Sequence, residues 1–344
     1  MQASELPELL SFHYAYGQPP ATGLMRAEPE DFRVDEVLGF EPSGEGQHRL
    51  LHIQKRNTNT EWVAKQLARF ADIKPMDVSY AGLKDRNAIT SQWFTIDLAG
   101  KPEPDWSAFN CDEYQVLASF AHNKKLRRGS LKGNRFKIRI KDVQGDRSEL
   151  DQRLIRIQQQ GVPNYFGEQR FGIGGDNLLQ AWQMLQGQKK IKDRNRRSIY
   201  LSAARSLIFN QLLSQRVADA SWDQILNGEA AMLSGSSSYF IVEASDETIE
   251  QRLSEWDIHP SGPMWGRGRL VCQSDALVVE ESVCNALSDW LVPLELAGLK
   301  QERRALRLQV ADLSWQWLES DLELEFELPS GSYATSVIRE LIRV

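Results

Sequence analysis

Tyr80-Ala81-Gly82-Leu83-Lys84-Asp85-Arg86-Asn87-Ala88-Ile89-Thr90-Ser91-Gln92-Trp93-Phe94 is the stretch around which the chain is organised. Apolar and polar residues alternate at 78–80 and again at 94–98, which predicts a strand on each side of a short polar connection. In that connection Asp85 lies between Lys84 and Arg86. Positive charge on both sides favours the charged form of a carboxylate, which suits a nucleophile or a general base. A solvated turn with three charges is the alternative interpretation.

The composition predicts a folded cytoplasmic protein. A length of 344 residues allows roughly two to three domains, and a hydrophobic content of 41% is enough for a buried core. No apolar run reaches the roughly 18 residues that cross a bilayer, and the acidic N-terminal segment does not resemble a secretory signal. Three cysteines without metal-ligand spacing favour reduced thiols and argue against a zinc site. We therefore expect no metal and no membrane contact.

Basic residues are segregated in two segments, although the formal net charge is −6. Segment 124–141 has no acidic residue, segment 189–197 is interrupted only by Asp193, and acidic residues gather over 312–327. Such a distribution can bind phosphates locally while the remainder repels polyanions. A solvated face is the alternative for either segment. The basic residues are Lys124, Lys125, Arg127, Arg128, Lys132, Arg135, Lys137, Arg139 and Lys141, then Lys189, Lys190, Lys192, Arg194, Arg196 and Arg197.

A strand is predicted within the first basic segment, at 134–140. Phe136, Ile138 and Ile140 alternate there with basic residues, so a strand places the apolar side chains on one face and a cationic row on the other. An ordinary strand with solubilising charges has the same pattern.

Residues 164–170 read Asn-Tyr-Phe-Gly-Glu-Gln-Arg, an aromatic and basic cluster. Tyr165, Phe166 and Phe171 could stack on bases while Arg170 binds a phosphate. They could equally be core aromatics, with Arg170 paired to Glu168.

Strands and helices are interspersed along the chain with antiparallel hairpins, which predicts an α+β fold with a sheet packed by helices on one side. Helices are expected over 178–185 and 202–217 in the middle of the chain, and a closing helix over 333–343. The strand-rich ends and helical middle indicate a sheet domain built from both termini with a helical domain inserted. Dinucleotide, P-loop and nucleophile-elbow motifs are absent from the sequence.

Four motifs in this order resemble the TruD family of tRNA pseudouridine synthases: Gly82-Leu83-Lys84-Asp85-Arg86, Asn134-Arg135-Phe136, Asn164 to Gly172, and Leu328 to Thr335. The resemblance extends from Pro29 to Leu341. It implies an α+β catalytic pseudouridine-synthase domain with a mainly antiparallel mixed sheet at 1–157 and 304–344, and an inserted, more helical TRUD-type domain at 158–303. It further implies isomerisation of uridine 13 in tRNA without cofactor or metal.

The resemblance also assigns roles to residues. Asp85 matches the catalytic aspartate, Phe136 the aromatic residue against the target base, and Asn134 its polar companion. Arg26 stands where the family has a basic residue near the aspartate, often Lys, and Lys84 adjoins the aspartate; both are predicted to bind the substrate. Eight cations are predicted to contact RNA: Arg135, Lys137, Arg139, Arg170, Lys189, Lys190, Arg196 and Arg197. The resemblance implies tRNA with a flipped uridine as the partner, and the lack of a long apolar stripe in the sequence favours a monomer.

Two alternatives remain open from the residues. An RNA-binding module without chemistry uses the basic segments and aromatics but leaves Asp85 unexplained. A metal-dependent nuclease or phosphatase needs clustered carboxylates, for which Asp31, Asp35 and Glu36 are the candidates near the motif.

Overall fold

The computed structural model of the chain describes residues 3–98, 100–127 and 129–343, so Arg128 of the first basic segment lies outside the described residues. The strands are β1 Ala21–Met25, β2 Phe32–Leu38, β3 His48–Arg56, β4 Val78–Tyr80, β5 Ile89–Asp97, β6 Tyr114–His122, β7 Leu131–Gly145, β8 Val162–Pro163, β9 Glu229–Leu233, β10 Tyr239–Val242, β11 Ile258–His259, β12 Ser261–Met264, β13 Glu302–Ala305, β14 Arg307–Leu308, β15 Ala311–Leu318, β16 Asp321–Pro329 and β17 Ile342–Arg343. The α-helices are α1 Leu6–Leu9, α2 Thr60–Phe70, α3 Arg147–Gln160, α4 Asp176–Leu185, α5 Arg194–Ala218, α6 Glu247–Ser254, α7 Ser274–Ala286, α8 Ser288–Leu296 and α9 Ala334–Ile338.

The chain forms two compact units. The sheet unit consists mainly of Ala21–Asp146 and Val310–Gly331. The helical unit consists of Arg147–Gln309 with the segments that end at Pro20 and run from Ser332 to Ile342. The helical unit thus includes all of the predicted insertion, 158–303, together with α3 and two terminal segments. The predicted domain boundaries at 157/158 and 303/304 stay a prediction.

The sheet unit contains one mixed sheet. Its strands lie in the order β15-β16-β7-β2-β5-β3-β6, with β1 paired to β7 and β4 paired to β5. Of these pairs only β2–β5 is parallel. This arrangement confirms the predicted α+β fold with a mainly antiparallel mixed sheet.

Helix α2 covers part of this sheet because its apolar residues recur on one face. Val63 and Leu67 are fully buried against Ile53 of β3 and against Phe94 and Ile96 of β5. Asn59 is the N-cap residue of the helix and has extended backbone. The helix begins beside the connection between β4 and β5, because Oγ1 of its first residue, Thr60, accepts a hydrogen bond from the backbone of Lys84.

The core of the helical unit is built around α5, which is flanked by α4 and α8. Leu207, Ile208 and Phe209 of α5 are fully buried there, together with Leu178 of α4 and Leu294 of α8. The helices predicted at 178–185 and 202–217 are confirmed, and α5 begins earlier, at Arg194.

The closing helix predicted over 333–343 is wrong beyond its first half, since α9 ends at Ile338. The reason is a tertiary contact. Glu340 is fully buried, and its carboxylate oxygen Oε2 accepts a hydrogen bond from the backbone of Ala15 at 2.9 Å. A local periodic pattern contains no information on that contact.

Candidate active site

The connection between β4 and β5 carries Asp85 and is held by buried side chains. Nε2 of Gln92 donates a hydrogen bond to the carbonyl oxygen of Gly82 at 2.6 Å. Oγ1 of Thr60, at the start of α2, accepts from the backbone N–H of Lys84 at 3.1 Å and donates to Oε1 of Gln92 at 2.9 Å. These contacts hold the backbone on the N-terminal side of Asp85.

Lys55 is a buried cation beneath this loop that was not predicted. Its Nζ donates to the carbonyl oxygens of Asp85 at 3.0 Å and Thr58 at 2.7 Å. The side chain is 1% exposed, and burial lowers the pKa of Lys55 to about 8. Leu51 and Ile53 are fully buried on β3, and Lys55 is the next residue in that alternating series. A charge in an inward-facing series is the signal that could have identified it.

Arg26 forms an ion pair with Asp85. Its Nη2 lies 3.0 Å from Oδ2 of Asp85, and its guanidinium lies over the ring of Phe32, 4.0 Å from the centroid. The Asp85 side chain is 39% exposed, so its carboxylate is accessible to a ligand as well as to Arg26. The predicted proximity of the two side chains is present, whereas the part that Arg26 plays toward a substrate stays a prediction.

Lys84 forms an ion pair with a buried carboxylate. Its Nζ lies 2.8 Å from Oε1 of Glu36, whose side chain is fully buried. Oε2 of Glu36 accepts from the backbone N–H of Trp93 at 2.8 Å. Burial raises the pKa of Glu36, and the Lys84 ammonium group opposes that rise. The contact adds a further anchor to the Asp85 loop.

Phe136 lies on β7 in a row of packed aromatic rings. It stacks on Phe326 with ring centroids 5.4 Å apart and meets Phe32 edge-on at 6.2 Å. Phe32 is the ring that carries the Arg26 guanidinium. A continuous series of contacts therefore links Asp85 through Arg26 and Phe32 to Phe136.

Asn134 lies two residues before Phe136 on β7, opposite Glu36 of β2 and Leu328 of β16. Its Oδ1 is buried and has no hydrogen-bond partner within the described parts of the chain. Buried polar atoms are usually paired, so such an acceptor is suited to a ligand donor. Gly133 precedes it for a steric reason, because a Cβ there would lie 2.3 Å from the carbonyl oxygen of Leu328.

The carboxylates required by the metal-dependent alternative are each engaged separately. Oδ1 of Asp31 lies 3.4 Å from Nζ of Lys141, and Oδ1 of Asp35 accepts a hydrogen bond from Ser91. Glu36 is paired with Lys84, as described above. Among the residues that the structure describes, no group of three or more His, Cys, Asp or Glu could hold a metal ion.

The predicted cationic row on β7 faces an acidic row on β16. The register places Arg135 opposite Glu327, Lys137 opposite Glu325 and Arg139 opposite Glu323. A hollow beside this row is lined by six acidic and four basic residues. The row therefore gives the sheet no net positive charge, and its RNA contacts stay a prediction. The ion pairs are Arg135–Glu327 at 2.5 Å, Lys137–Glu325 at 2.6 Å, Lys137–Glu323 at 2.9 Å and Arg139–Asp321 at 2.7 Å.

The aromatic cluster of the helical unit is part of its core. Tyr165 and Phe171 are 2% exposed, Phe166 is 8% exposed, and all three pack in one core cluster of the helical unit, as the alternative of core aromatics expects. The Arg170 guanidinium donates to the hydroxyl of Tyr333 and, from Nη1, to Oγ of Ser202 at 2.7 Å. These contacts hold Arg170 within the protein.

The second basic segment lies at the surface of the helical unit. Nζ of Lys189 donates to Oε1 of Gln180 at 2.6 Å. Lys190, Arg196 and Arg197 are exposed, and none forms an ion pair with any residue the structure describes. As RNA contacts, all four cations stay a prediction.

Three comparisons with known proteins point to the same protein family. A family model of tRNA pseudouridine synthase D (TruD) matches residues 9–187 and 176–341. The chain is similar to tRNA pseudouridine synthase D of Methylococcus capsulatus, 48% identical over 329 residues, with 95% of this chain and 93% of the relative covered. It is also similar to tRNA pseudouridine synthase D of Nitrosococcus oceani, 50% identical over 331 residues, with 95% and 92% covered.

A crystal structure from Methanosarcina mazei that is assigned to tRNA pseudouridine synthase D has the same fold. Its TM-score is 0.78 at 21% identity, with 100% of this chain and 99% of that chain covered. Within the described residues, no helix is long and apolar enough to cross a membrane.

Proposed function

The chain belongs to the TruD family of tRNA pseudouridine synthases, and on that premise we propose that it isomerises uridine 13 of tRNA to pseudouridine, with Asp85 as the catalytic carboxylate. The observation that carries the proposal is the position of Asp85. It lies on a loop held by Lys55, Thr60 and Gln92, and it is paired with Arg26 next to a row of aromatic rings.

The reaction requires a base that is free to turn. The C1′–N1 bond must break, the uracil must rotate, and C5 must bond to C1′. A stacked base cannot do this, so the uridine is flipped out into a pocket. Exclusion of water protects the detached uracil until it re-adds.

Asp85 can act by two routes. In the first, its carboxylate oxygen bonds to C1′ as the C1′–N1 electron pair leaves with the uracil; C5 then attacks C1′ and displaces the carboxylate. In the second, Asp85 removes the C2′ proton while the uracil leaves, and returns it when C5 adds to C1′. In both, the proton on C5 is finally lost to solvent.

The neighbouring side chains have distinct tasks in this proposal. Arg26 fixes the orientation of the Asp85 carboxylate, since a guanidinium binds carboxylates directionally. Phe136 supports the detached uracil by stacking. Asn134 accepts a hydrogen bond from uracil N3–H with the buried Oδ1 that has no partner among the described residues. Lys84 remains a proposed substrate-binding residue, and its ion pair with Glu36 holds the loop.

RNA contacts are proposed for cations of both units. Lys190, Arg196 and Arg197 are exposed and have no acidic partner within the described chain, so they are the stronger candidates. Arg135, Lys137, Arg139, Arg170 and Lys189 must exchange an existing protein contact for a phosphate.

Mass-spectrometric mapping tests the proposed position. Purified protein is incubated with an unmodified tRNA transcript that has uridine at position 13, and pseudouridine is then located by mass spectrometry. We expect conversion at position 13 and none in a transcript with cytidine there. Conversion at another position, or none in either transcript, contradicts the proposal.

A further inference from the structure

The helical unit contains a basic hollow that no predicted role explains. It has a volume of about 560 Å³ and lies between the segments 267–271 and 298–303. Arg267, Arg269 and Lys300 line it together with Tyr239, which is 42% exposed. Neither basic segment identified in the sequence includes these residues.

The three cations of the hollow carry uncompensated charge. Arg267, Arg269 and Lys300 are exposed, and within the described chain none of them forms an ion pair. The other charged residues of the lining are already neutralised. Arg303 is paired with Glu280 at 2.6 Å, and Glu302 with Arg205 at 3.0 Å. The hollow beside β7 differs, since acidic residues outnumber basic ones there.

The backbone holds two of these cations side by side. The N–H of Arg267 donates to the carbonyl oxygen of Leu299 at 2.7 Å, and the N–H of Gln301 donates to the carbonyl oxygen of Arg267 at 3.0 Å. Arg267 and Lys300 are bridge partners. Gly266 permits this approach, because a Cβ there would lie 2.4 Å from the carbonyl carbon of Lys300. The positive charge is therefore gathered on a preformed frame, which reduces the entropy lost on binding.

We propose that this hollow binds an unpaired stretch of RNA, with Arg267, Arg269 and Lys300 on successive phosphates and Tyr239 stacked on a base. Cations that follow a backbone next to an exposed aromatic ring are the arrangement that binds single strands. The proposal deepens the proposed function and rests on it for the identity of the RNA: the hollow is a contact for an unpaired part of tRNA. In this proposal the hollow contributes to the affinity for tRNA.

The binding test uses an Asp85→Asn background, so that turnover does not enter the measurement. Fluorescence anisotropy gives Kd for labelled tRNA over a range of salt concentrations. We expect Arg267→Ala/Arg269→Ala/Lys300→Ala to weaken binding at least tenfold. The slope of log affinity against log salt should fall by about 2, since each phosphate contact on a single strand contributes about 0.7.

The matched control removes the same charge from exposed positions outside the hollow: Lys65→Ala/Arg69→Ala/Arg156→Ala. It should change Kd less than twofold. Equal Kd values and equal salt slopes for the two triple variants overturn the proposal. The proposed function fails or holds on a different measurement, the turnover that Asp85 supports. The Kd measured here in the Asp85→Asn background does not depend on that turnover.

A second pair of variants tests the aromatic contact. Tyr239→Ala should weaken tRNA binding about tenfold through lost stacking, and Tyr239→Phe should retain the wild-type Kd. Unpaired RNA should compete with tRNA better than duplex RNA of equal length, and equal competition by the duplex contradicts the proposal.

Photocrosslinking to tRNA that contains 4-thiouridine gives a readout on the unmutated chain. Crosslinks at Tyr239 or in 267–271 support the hollow, and crosslinks found only elsewhere overturn it.

Discussion

Nη2 of Arg26 lies 3.0 Å from Oδ2 of Asp85, and this ion pair connects the Asp85 loop to the aromatic row. Arg26 adopts a left-handed backbone conformation, φ 56°, which costs a non-glycine residue roughly 1 kcal/mol. Its guanidinium gains the carboxylate on one side and the ring of Phe32 on the other. The strain is offset by contacts that also fix the direction of the Asp85 carboxylate.

The first prediction concerns the orientation of that carboxylate. Arg26→Ala should lower the single-turnover rate on bound tRNA by roughly 100-fold, because a misdirected catalytic group loses much of its effect. Arg26→Lys should retain more of the rate, since the charge remains while the fork geometry is lost. Tritium release from tRNA labelled at uridine C5 measures both rates. A change in Kd with an unaltered single-turnover rate would show that Arg26 serves binding alone.

The second prediction concerns the anchor beneath the loop. Lys55→Met keeps the bulk of the side chain but leaves the carbonyl oxygens of Asp85 and Thr58 without their donor. We expect the free energy of unfolding to fall by about 1–3 kcal/mol and the single-turnover rate to fall as well. Urea denaturation and tritium release measure the two effects. A destabilised variant with the wild-type rate would show that the anchor does not position Asp85.

The third prediction separates the Phe136 ring from ordinary core packing. Phe136→Leu and Phe326→Leu each remove one member of the same stacked pair, so both should cost about 1–2 kcal/mol of stability. Only Phe136→Leu should lower the single-turnover rate more than tenfold, because only Phe136 is proposed to support the uracil. Equal losses of rate in the two variants would contradict that role.

The fourth prediction is a pH dependence that arises in the helical unit. Burial lowers the pKa of His259 to about 4, and the Arg307 guanidinium, which donates from Nε to Nδ1 of His259 at 3.1 Å, adds to the effect. The unfolded chain binds this proton near pH 6.5, whereas the folded chain binds it only near pH 4. Unfolding is therefore favoured as the pH falls from 6.5 toward 4.

At pH 5 this single group should lower the free energy of unfolding by about 2 kcal/mol relative to pH 7.5. His259→Gln keeps an acceptor for Arg307 but cannot take up the proton, so its stability should fall less over the same range. Urea denaturation of both proteins at the two pH values gives the difference. An identical fall in both would show that His259 does not titrate in this way.

The local sequence patterns predicted the Asp85 loop well, but they did not predict the Lys55 and Arg26 side chains that contact it. Alternation at 78–80 and 94–98 is enough to place a strand on each side of the loop, although the second strand begins earlier than predicted, at Ile89. Lys55 lies 30 positions away from Asp85 in the chain, and it was not identified because its contact depends on how β3 is placed beneath the loop. The Arg26 contact was found only because a family resemblance indicated it.

The charge of the first basic segment shows a second limit of the sequence. Both the cationic row and the acidic row are visible, at 135–139 and 323–327. Their neutralisation depends on a strand register that joins residues 192 positions apart, as in Arg135 and Glu327. Segregation along the chain therefore did not produce a segregated surface on the sheet. The uncompensated cations of the basic hollow, by contrast, come from two separate places in the sequence, Arg267 with Arg269 and then Lys300.

Replacement of Asp85 tests the central claim most directly. Asp85→Asn preserves the size of the side chain and removes the carboxylate. The account predicts that tritium release from tRNA labelled at uridine C5 is abolished while Kd for tRNA stays within about threefold of wild type. Release at a rate near that of the wild-type protein would contradict the account.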